Sequence, residues 1–333
     1  MAALLAFLVG MAVLGLTSSG AAPAPRGPGL SGPAPQEVLA GVYVVNIPTV
    51  NPPRNSFDAD FYLWLRWRGE AIDPPEGIRV MNVFERWALE TENVYDEPQT
   101  QPDGSKLWVV HYHGNFSTPL SLRRFPFDRQ TLTLIIEDEV LTARRITFKP
   151  DDSPIRLSPD ITLPGYAIGD PRITFGEFTY DVGPVERVQQ DWTFPRITVE
   201  VPLTAPVASG VVKIFVPIVI VLAAAALALV VPPAHVESTI ALPITSLLAL
   251  VAMHWGVSSS LPDVGYLLMI DVLYIVAYAA ATTFLAVAIA GAWVLRSRGE
   301  AAAGLMQRRM LVVTVLGYLI VVGAVLAGYL TGS

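Results

Sequence analysis

Val236-Glu237-Ser238-Thr239-Ile240-Ala241-Leu242-Pro243-Ile244-Thr245-Ser246-Leu247-Leu248-Ala249-Leu250-Val251-Ala252-Met253-His254-Trp255-Gly256-Val257-Ser258-Ser259-Ser260-Leu261 is a mainly apolar run closed by Pro262-Asp263. As a helix it is long enough to cross a hydrocarbon layer of about 30 Å. Glu237, Ala241, Thr245, Leu248, Ala252, Trp255 and Ser259 follow one another in steps of three or four, so they share one helix face. A carboxylate opens this stripe, small and hydroxyl residues follow, then a leucine, an aromatic ring and a serine. Several such helices round an axis would line a pore with a ring of carboxylates and an apolar ring. The carboxylates would attract cations, and the apolar ring could gate by dewetting. Thr245 would offer oxygen to a partly dehydrated ion. A glutamate at the membrane interface, with hydroxyls bonded back to their own helix, fits the pattern equally well. Pro243 removes one helical hydrogen bond and favours a bend.

Three more apolar stretches flank this run: 211–231, ended by Pro232-Pro233, then about 264–295, then 310–330. Four membrane spans are expected. From residue 209 on, five basic residues (Lys213, Arg296, Arg298, Arg308, Arg309) face four acidic ones (Glu237, Asp263, Asp271, Glu300). Four arginines fall between the third and fourth stretches, which places that loop in the cytoplasm and both termini outside. Residues 1–22, apolar and then small, read as a signal peptide, although Lys and Arg are missing from the start. Residues 23–35, rich in Pro, Gly and Ala, read as a flexible leader. The remaining boundaries are 36–208 for a polar domain outside and 209–333 for the membrane domain.

The whole chain of 333 residues is 52% hydrophobic and only 15% charged, which argues against a fully soluble enzyme. Its net charge of −7 excludes nucleic-acid binding by bulk electrostatics. With no cysteine, it has no disulfide, thiolate nucleophile or Cys-ligated metal. Neither a nucleophile elbow, a His-Glu-x-x-His pair nor a phosphate-binding glycine loop is present, so no enzyme activity and no cofactor is expected.

Within 36–208, alternation recurs in 42–47, 61–67, 107–112, 131–136, 172–178 and 196–201. Turn clusters such as Asn51-Pro52-Pro53 and Pro102-Asp103-Gly104 lie between them. Many short strands at this spacing predict an immunoglobulin-like β-sandwich, followed by a four-helix transmembrane bundle. Asp151-Asp152 reads as a turn. His111 and His113, two apart on a strand, face the same way and form a weak candidate for zinc binding or proton sensing. His235 and His254 could also titrate.

Leu122-Arg123-Arg124-Phe125-Pro126-Phe127-Asp128-Arg129-Gln130 carries a Phe-Pro-Phe-Asp-x-Gln core. It resembles the signature loop of the pentameric ligand-gated ion channels, the Cys-loop receptor family. Two cysteines flank this loop in animal members. Here those positions are Thr118 and Leu132, as in the prokaryotic branch. Trp67 resembles an early core tryptophan of the family, and Trp87-Ala88-Leu89-Glu90 resembles its Trp-x-Pro-Glu segment, with Leu89 in place of proline. Lys213-Ile214-Phe215-Val216-Pro217 resembles the start of the first membrane helix, and Leu261-Pro262 the linker between the second and third.

The resemblance implies a homopentamer in a lipid bilayer, with a central pore passing monovalent cations. It sets Glu237 at the cytoplasmic end of that pore, Thr245 on a pore hydroxyl and Leu248 on the hydrophobic girdle. Gating would cross Phe125, Pro126, Phe127 and Asp128, the loop around residues 51–56, and Leu261, Pro262 and Asp263. The basic residue that usually partners the signature-loop aspartate is replaced by Thr204-Ala205-Pro206, so Asp128 needs another partner, with Arg124 and Arg196 the candidates. Agonist would bind between subunits near Tyr62 on one side and Glu137, Asp138, Glu139, Tyr180 and Trp192 on the other. A proton, a divalent cation or a small organic cation suits acids beside aromatic rings, while a solvated acidic turn is the plainer reading. The rival function is a membrane-anchored binding or sensor module that does not conduct.

Overall fold

The computed structural model describes residues 34–69, 74–181, 192–206 and 211–331. The signal reading, the leader reading apart from residues 34 and 35, and most of the segment around 182–194 lie outside them.

Eleven β-strands come first among the described residues: β1 Gln36–Asn51, β2 Ser56–Trp67, β3 Ile78–Val80, β4 Glu90–Asn93, β5 Gln99–Thr100, β6 Lys106–Ser117, β7 Arg129–Asp138, β8 Ile146–Leu157, β9 Ala167–Ile168, β10 Arg172–Thr179 and β11 Thr193–Thr204. One sheet runs β4-β6-β2-β1-β8 with β5 on β6. The other runs β10-β11-β7-β3 with β9 on β11. All pairings are antiparallel except β1 with β8. Strict alternation sends every second side chain inward. Phe57, Ala59, Phe61, Leu63, Leu65 and Trp67 of β2 are buried, as are Leu132, Leu134 and Ile136 of β7 and Ile197, Val199, Val201 and Leu203 of β11. They share one core, so the two sheets form a sandwich. Each large side chain removed from water contributes about 1.5–3 kcal/mol.

The acid pair Asp151-Asp152 is not a turn. It lies inside β8, where the pairing with β1 shifts between Ala40 and Val42 and Ser153 adopts a left-handed φ of 53°. As the edge strand, β8 can carry Pro150 and Pro154, because prolines cost an edge no ladder bond. Asp151 accepts from Trp64 Nε1 at 3.0 Å and from Arg66. Gly41 makes this possible: Trp64 crosses β1 directly over it, and a Cβ at residue 41 would lie 2.1 Å from the indole.

Four helices follow: α1 Val216–Leu227, entered through a wide turn Val211–Phe215; α2 Val236–Ser258; α3 Met269–Arg298; and α4 Glu300–Thr331. The last three are long and apolar enough to cross a membrane. The expected first span is shorter than read from sequence, a 17-residue helical stretch from Val211 to Leu227 (5 residues of wide turn, then 12 of α1), because the chain leaves the helix in turns before Pro232-Pro233. The expected arginine-rich loop is also corrected. Residues 296–309 are helical apart from Gly299, whose φ of 86° breaks α3 from α4.

Candidate functional site

Helix α2 has two unlike faces. Thr239, Pro243, Ser246 and Leu250 are buried against the neighbouring helices. The seven stripe residues, Glu237, Ala241, Thr245, Leu248, Ala252, Trp255 and Ser259, are all exposed on the protomer, Leu248 by 71% and Trp255 by 78%. Thr245 Oγ donates to the Ala241 carbonyl at 3.0 Å and Ser259 Oγ to that of Gly256 at 2.9 Å. The hydroxyls therefore bond back to their helix. A donating hydroxyl keeps its oxygen lone pairs, which still face outward.

The segment 122–129 lies where the sandwich meets the helices. Leu122 is buried with Ile214, Ile218, Leu261 and Leu268, and Phe125 and Phe127 pack on the same cluster. The Phe127 ring is 6.1 Å from that of Phe215. The Met269 N–H donates to the Arg123 carbonyl at 3.0 Å, and the Arg123 guanidinium lies 5.0 Å from the Tyr266 ring. The Phe125-Pro126 peptide is cis. Leu261 is buried, Pro262 half-buried and Asp263 exposed. The loop after β1 holds the chain just ahead of this segment through Asn55, which sits at φ 49° and whose carbonyl accepts the Thr118 N–H at 2.8 Å.

Asp128 is 7% exposed. Its Oδ1 accepts the main-chain N–H of Arg124 at 2.8 Å, while its Oδ2 is buried with no partner among the described residues. Burial pushes the carboxyl up to about 6, against the opposing pull of the Arg124 N–H and the Arg124 charge. Of the two expected partners, Arg124 supplies this N–H and its charge, and Arg196 is engaged elsewhere.

Arg196 lies directly across the β7–β11 ladder from Glu137. Glu137 and Asp138 are 1% and 0% exposed, so the solvated-turn reading fails for both. Glu137 accepts from Arg196 Nε and, at 2.8 Å, from the Tyr180 hydroxyl. The Arg196 guanidinium sits 3.5 Å from the centre of the Phe178 ring, and Tyr180 packs edge-on to Phe178 and Phe194. An acid and aromatic rings thus surround a cation that belongs to the chain itself. Asp138 takes the N–H groups of Val140 and Leu141 at 2.9 and 2.7 Å, and burial raises its pKa. It packs on Gly77, where a Cβ would lie 1.9 Å from Asp138 Oδ1. Glu139 is half exposed and pairs with Arg79 at 3.1 Å. The Trp192 carbonyl accepts the Tyr180 N–H at 3.0 Å, and its Nε1 has no partner among the described residues.

Tyr62 lies on the other sheet, stacked at 4.5 Å on His111, whose Nε2 engages Asp60. His113 is exposed beside it. Among the described residues no group of three or more ligating side chains is placed to hold a metal. The sequence reading missed the Arg196–Glu137 and His111–Asp60 partnerships. Both are cross-strand relations, visible only once the strands are paired.

No family model matches the chain. Over 248 residues it is 24% identical to a protein described as a proton-gated ion channel from Gloeobacter violaceus. The match covers 70% of this chain and 66% of that protein, so the chain spans just under two thirds of the relative's length. The sandwich followed by apolar helices agrees with this distant likeness.

Proposed function

We propose that the chain is one subunit of a homopentameric, cation-selective membrane channel, opened by protons acting on the outer sandwich and its junction with the helices. The observation that carries this reading is the exposed stripe of α2, which starts at a carboxylate and lies opposite the face that buries Thr239, Pro243, Ser246 and Leu250. Five stripes round an axis supply a Glu237 ring that favours cations and a Leu248 ring narrow enough to dewet. The likeness to a proton-gated ion channel supports the general class.

Two features favour protons over an organic cation. The acid-and-aromatic seat at Glu137, Phe178 and Tyr180 already holds Arg196. The buried Asp128 carboxyl, in the segment that touches the helices, titrates near pH 6. Any agonist must bind the open state better than the closed one, and a proton does so where opening changes the burial of such a carboxyl. On this reading the arginines around Gly299 face the cytoplasm and both termini lie outside.

The test is current from purified protein in planar bilayers under a KCl gradient while pH is stepped. Acid-evoked current reversing near the potassium potential is expected. Chloride-selective current would overturn the selectivity. Silence both in the wild type and in Leu248→Ser would favour the non-conducting sensor.

A further inference from the structure

His254 lies between α2 and α3, on the side of α2 turned away from the stripe. Its ring uses both nitrogens. Nε2 is 3.2 Å from Asp271 Oδ1 and Nδ1 is 3.0 Å from the Tyr278 hydroxyl. The ring also stacks on Tyr274, with centroids 4.5 Å apart and planes within 12°. Asp271 Oδ2 accepts the Leu268 N–H at 2.9 Å, where α3 begins. Both carboxylate oxygens therefore face N–H donors, which fits an ionised Asp271 and assigns a hydrogen to His254 Nε2. Nδ1 of the neutral ring is then an acceptor, and Tyr278 must donate to it. The same hydroxyl lies 3.4 Å from the Leu250 carbonyl on α2. One hydroxyl hydrogen cannot serve both acceptors.

We infer that His254, Asp271 and Tyr278 form a proton-operated hydrogen-bond switch joining the stripe-bearing helix α2 to α3. A proton from water adds to Nδ1. The ring then donates from both nitrogens, to Asp271 and to the Tyr278 oxygen. The Tyr278 hydrogen turns to the Leu250 carbonyl, the one to which residue 254's own helical N–H points. No other bond breaks. The added charge is met by Asp271 and by the face of Tyr274. His254 and Asp271 keep about a quarter of their side-chain surface exposed, which admits the proton.

The ionisable groups facing the ring are Asp271, Tyr274 and Tyr278, all from α3. Helix α1, also packed on α2, carries none. Around the same apolar cluster stand Lys213, Asp263 and Tyr266 at its sandwich end, with Arg123 beside Tyr266, and Tyr318 and Tyr329 of α4. The switch gains α2 a tie to α3 at Leu250, two residues from Leu248 of the stripe. It rests on the proton-gated reading above for its role, though not for its chemistry.

Two readouts separate these. Hydrogen–deuterium exchange at histidine C2 positions, on the intact protein in micelles, follows the titration of His254 without any current. Asp271→Asn should lower the proton affinity of His254 at least tenfold. The protection of backbone amides across 248–254, taken after correcting for the intrinsic pH dependence of amide exchange, should rise on acidification in the wild type and stay constant with pH in Tyr278→Phe. His254→Gln donates to Asp271 and accepts from Tyr278, so it should fold like the wild type with the segment locked in its neutral-pH behaviour. A His254 titration within twofold of wild type in Asp271→Asn would overturn the switch, as would a wild-type pH response in His254→Gln or Tyr278→Phe. If the exchange results hold but no variant conducts, the switch stands and the channel reading fails.

Discussion

Asp128→Asn removes the charge at one buried oxygen while keeping the side-chain carbonyl that accepts the Arg124 N–H. Burial raises the carboxyl from 3.8 to about 6 in the folded protein. Between these values the unfolded chain releases a proton that the folded chain retains. Stability therefore falls as pH rises through the window and is recovered below it. At about 1.4 kcal/mol per pKa unit the full loss is ~3 kcal/mol, of which ~2 kcal/mol accrues between pH 4.5 and 7.5. The asparagine has no such loss. Its amide does leave an N–H2 where Oδ2 had no partner, a cost of ~1–3 kcal/mol, but that cost is the same at both pH values and cancels in the comparison. The assay is thermal unfolding of the detergent-solubilised protein at both pH values and one scan rate. The midpoint of the asparagine variant, relative to wild type, should rise by roughly 4–8 °C on going from pH 4.5 to 7.5. A difference that stays constant across pH would refute the reasoning, because Asp128 would then be ionised and compensated in the fold.

Glu237→Ala should shift the reversal potential in a KCl gradient towards zero, by removing the carboxylate ring; an unchanged potential takes this residue out of the filter. Leu248→Ser should let water into the apolar ring and raise open probability or move activation to higher pH, read from single-channel records. Arg196→Ala leaves Glu137 buried without its cation and should destabilise the sandwich by about 3–5 kcal/mol, visible in urea titration. Arg196→Lys should recover only part of that, because Lys lacks the planar fork that meets Glu137 and covers Phe178.

Much of this architecture was legible in the chain because it depends on periodicity. A step of two is enough to give β2, β7 and β11, and an apolar run of helix length gives α2, α3 and α4. The α2 stripe was legible for the same reason, since a regular helix converts spacing into facing. What escaped depends on long-range pairing. Strand β8 was missed because Pro150, Asp151, Asp152 and Pro154 carry every local mark of a turn, and only its place at a sheet edge tolerates them. The burial of Glu137 escaped because a run of three acids looks solvated until β11 brings Arg196 across to it. His254 was read as one more titratable group. Its meaning comes from Asp271 and Tyr278, which lie 17 and 24 residues further along the chain.

The single residue between α3 and α4 has a mechanical consequence. The two helices contain 30 and 32 residues, about 45 and 48 Å of rod. Each exceeds a hydrocarbon layer of about 30 Å, and Arg296, Arg298, Arg308 and Arg309 flank the joint between them. A one-residue connection has no slack. Helix α4, whose apolar stretch is the least buried of the three long helices on the protomer, is thus tied to α3 like the second leg of a hairpin spring. A displacement of either helix at this joint is therefore passed to the other.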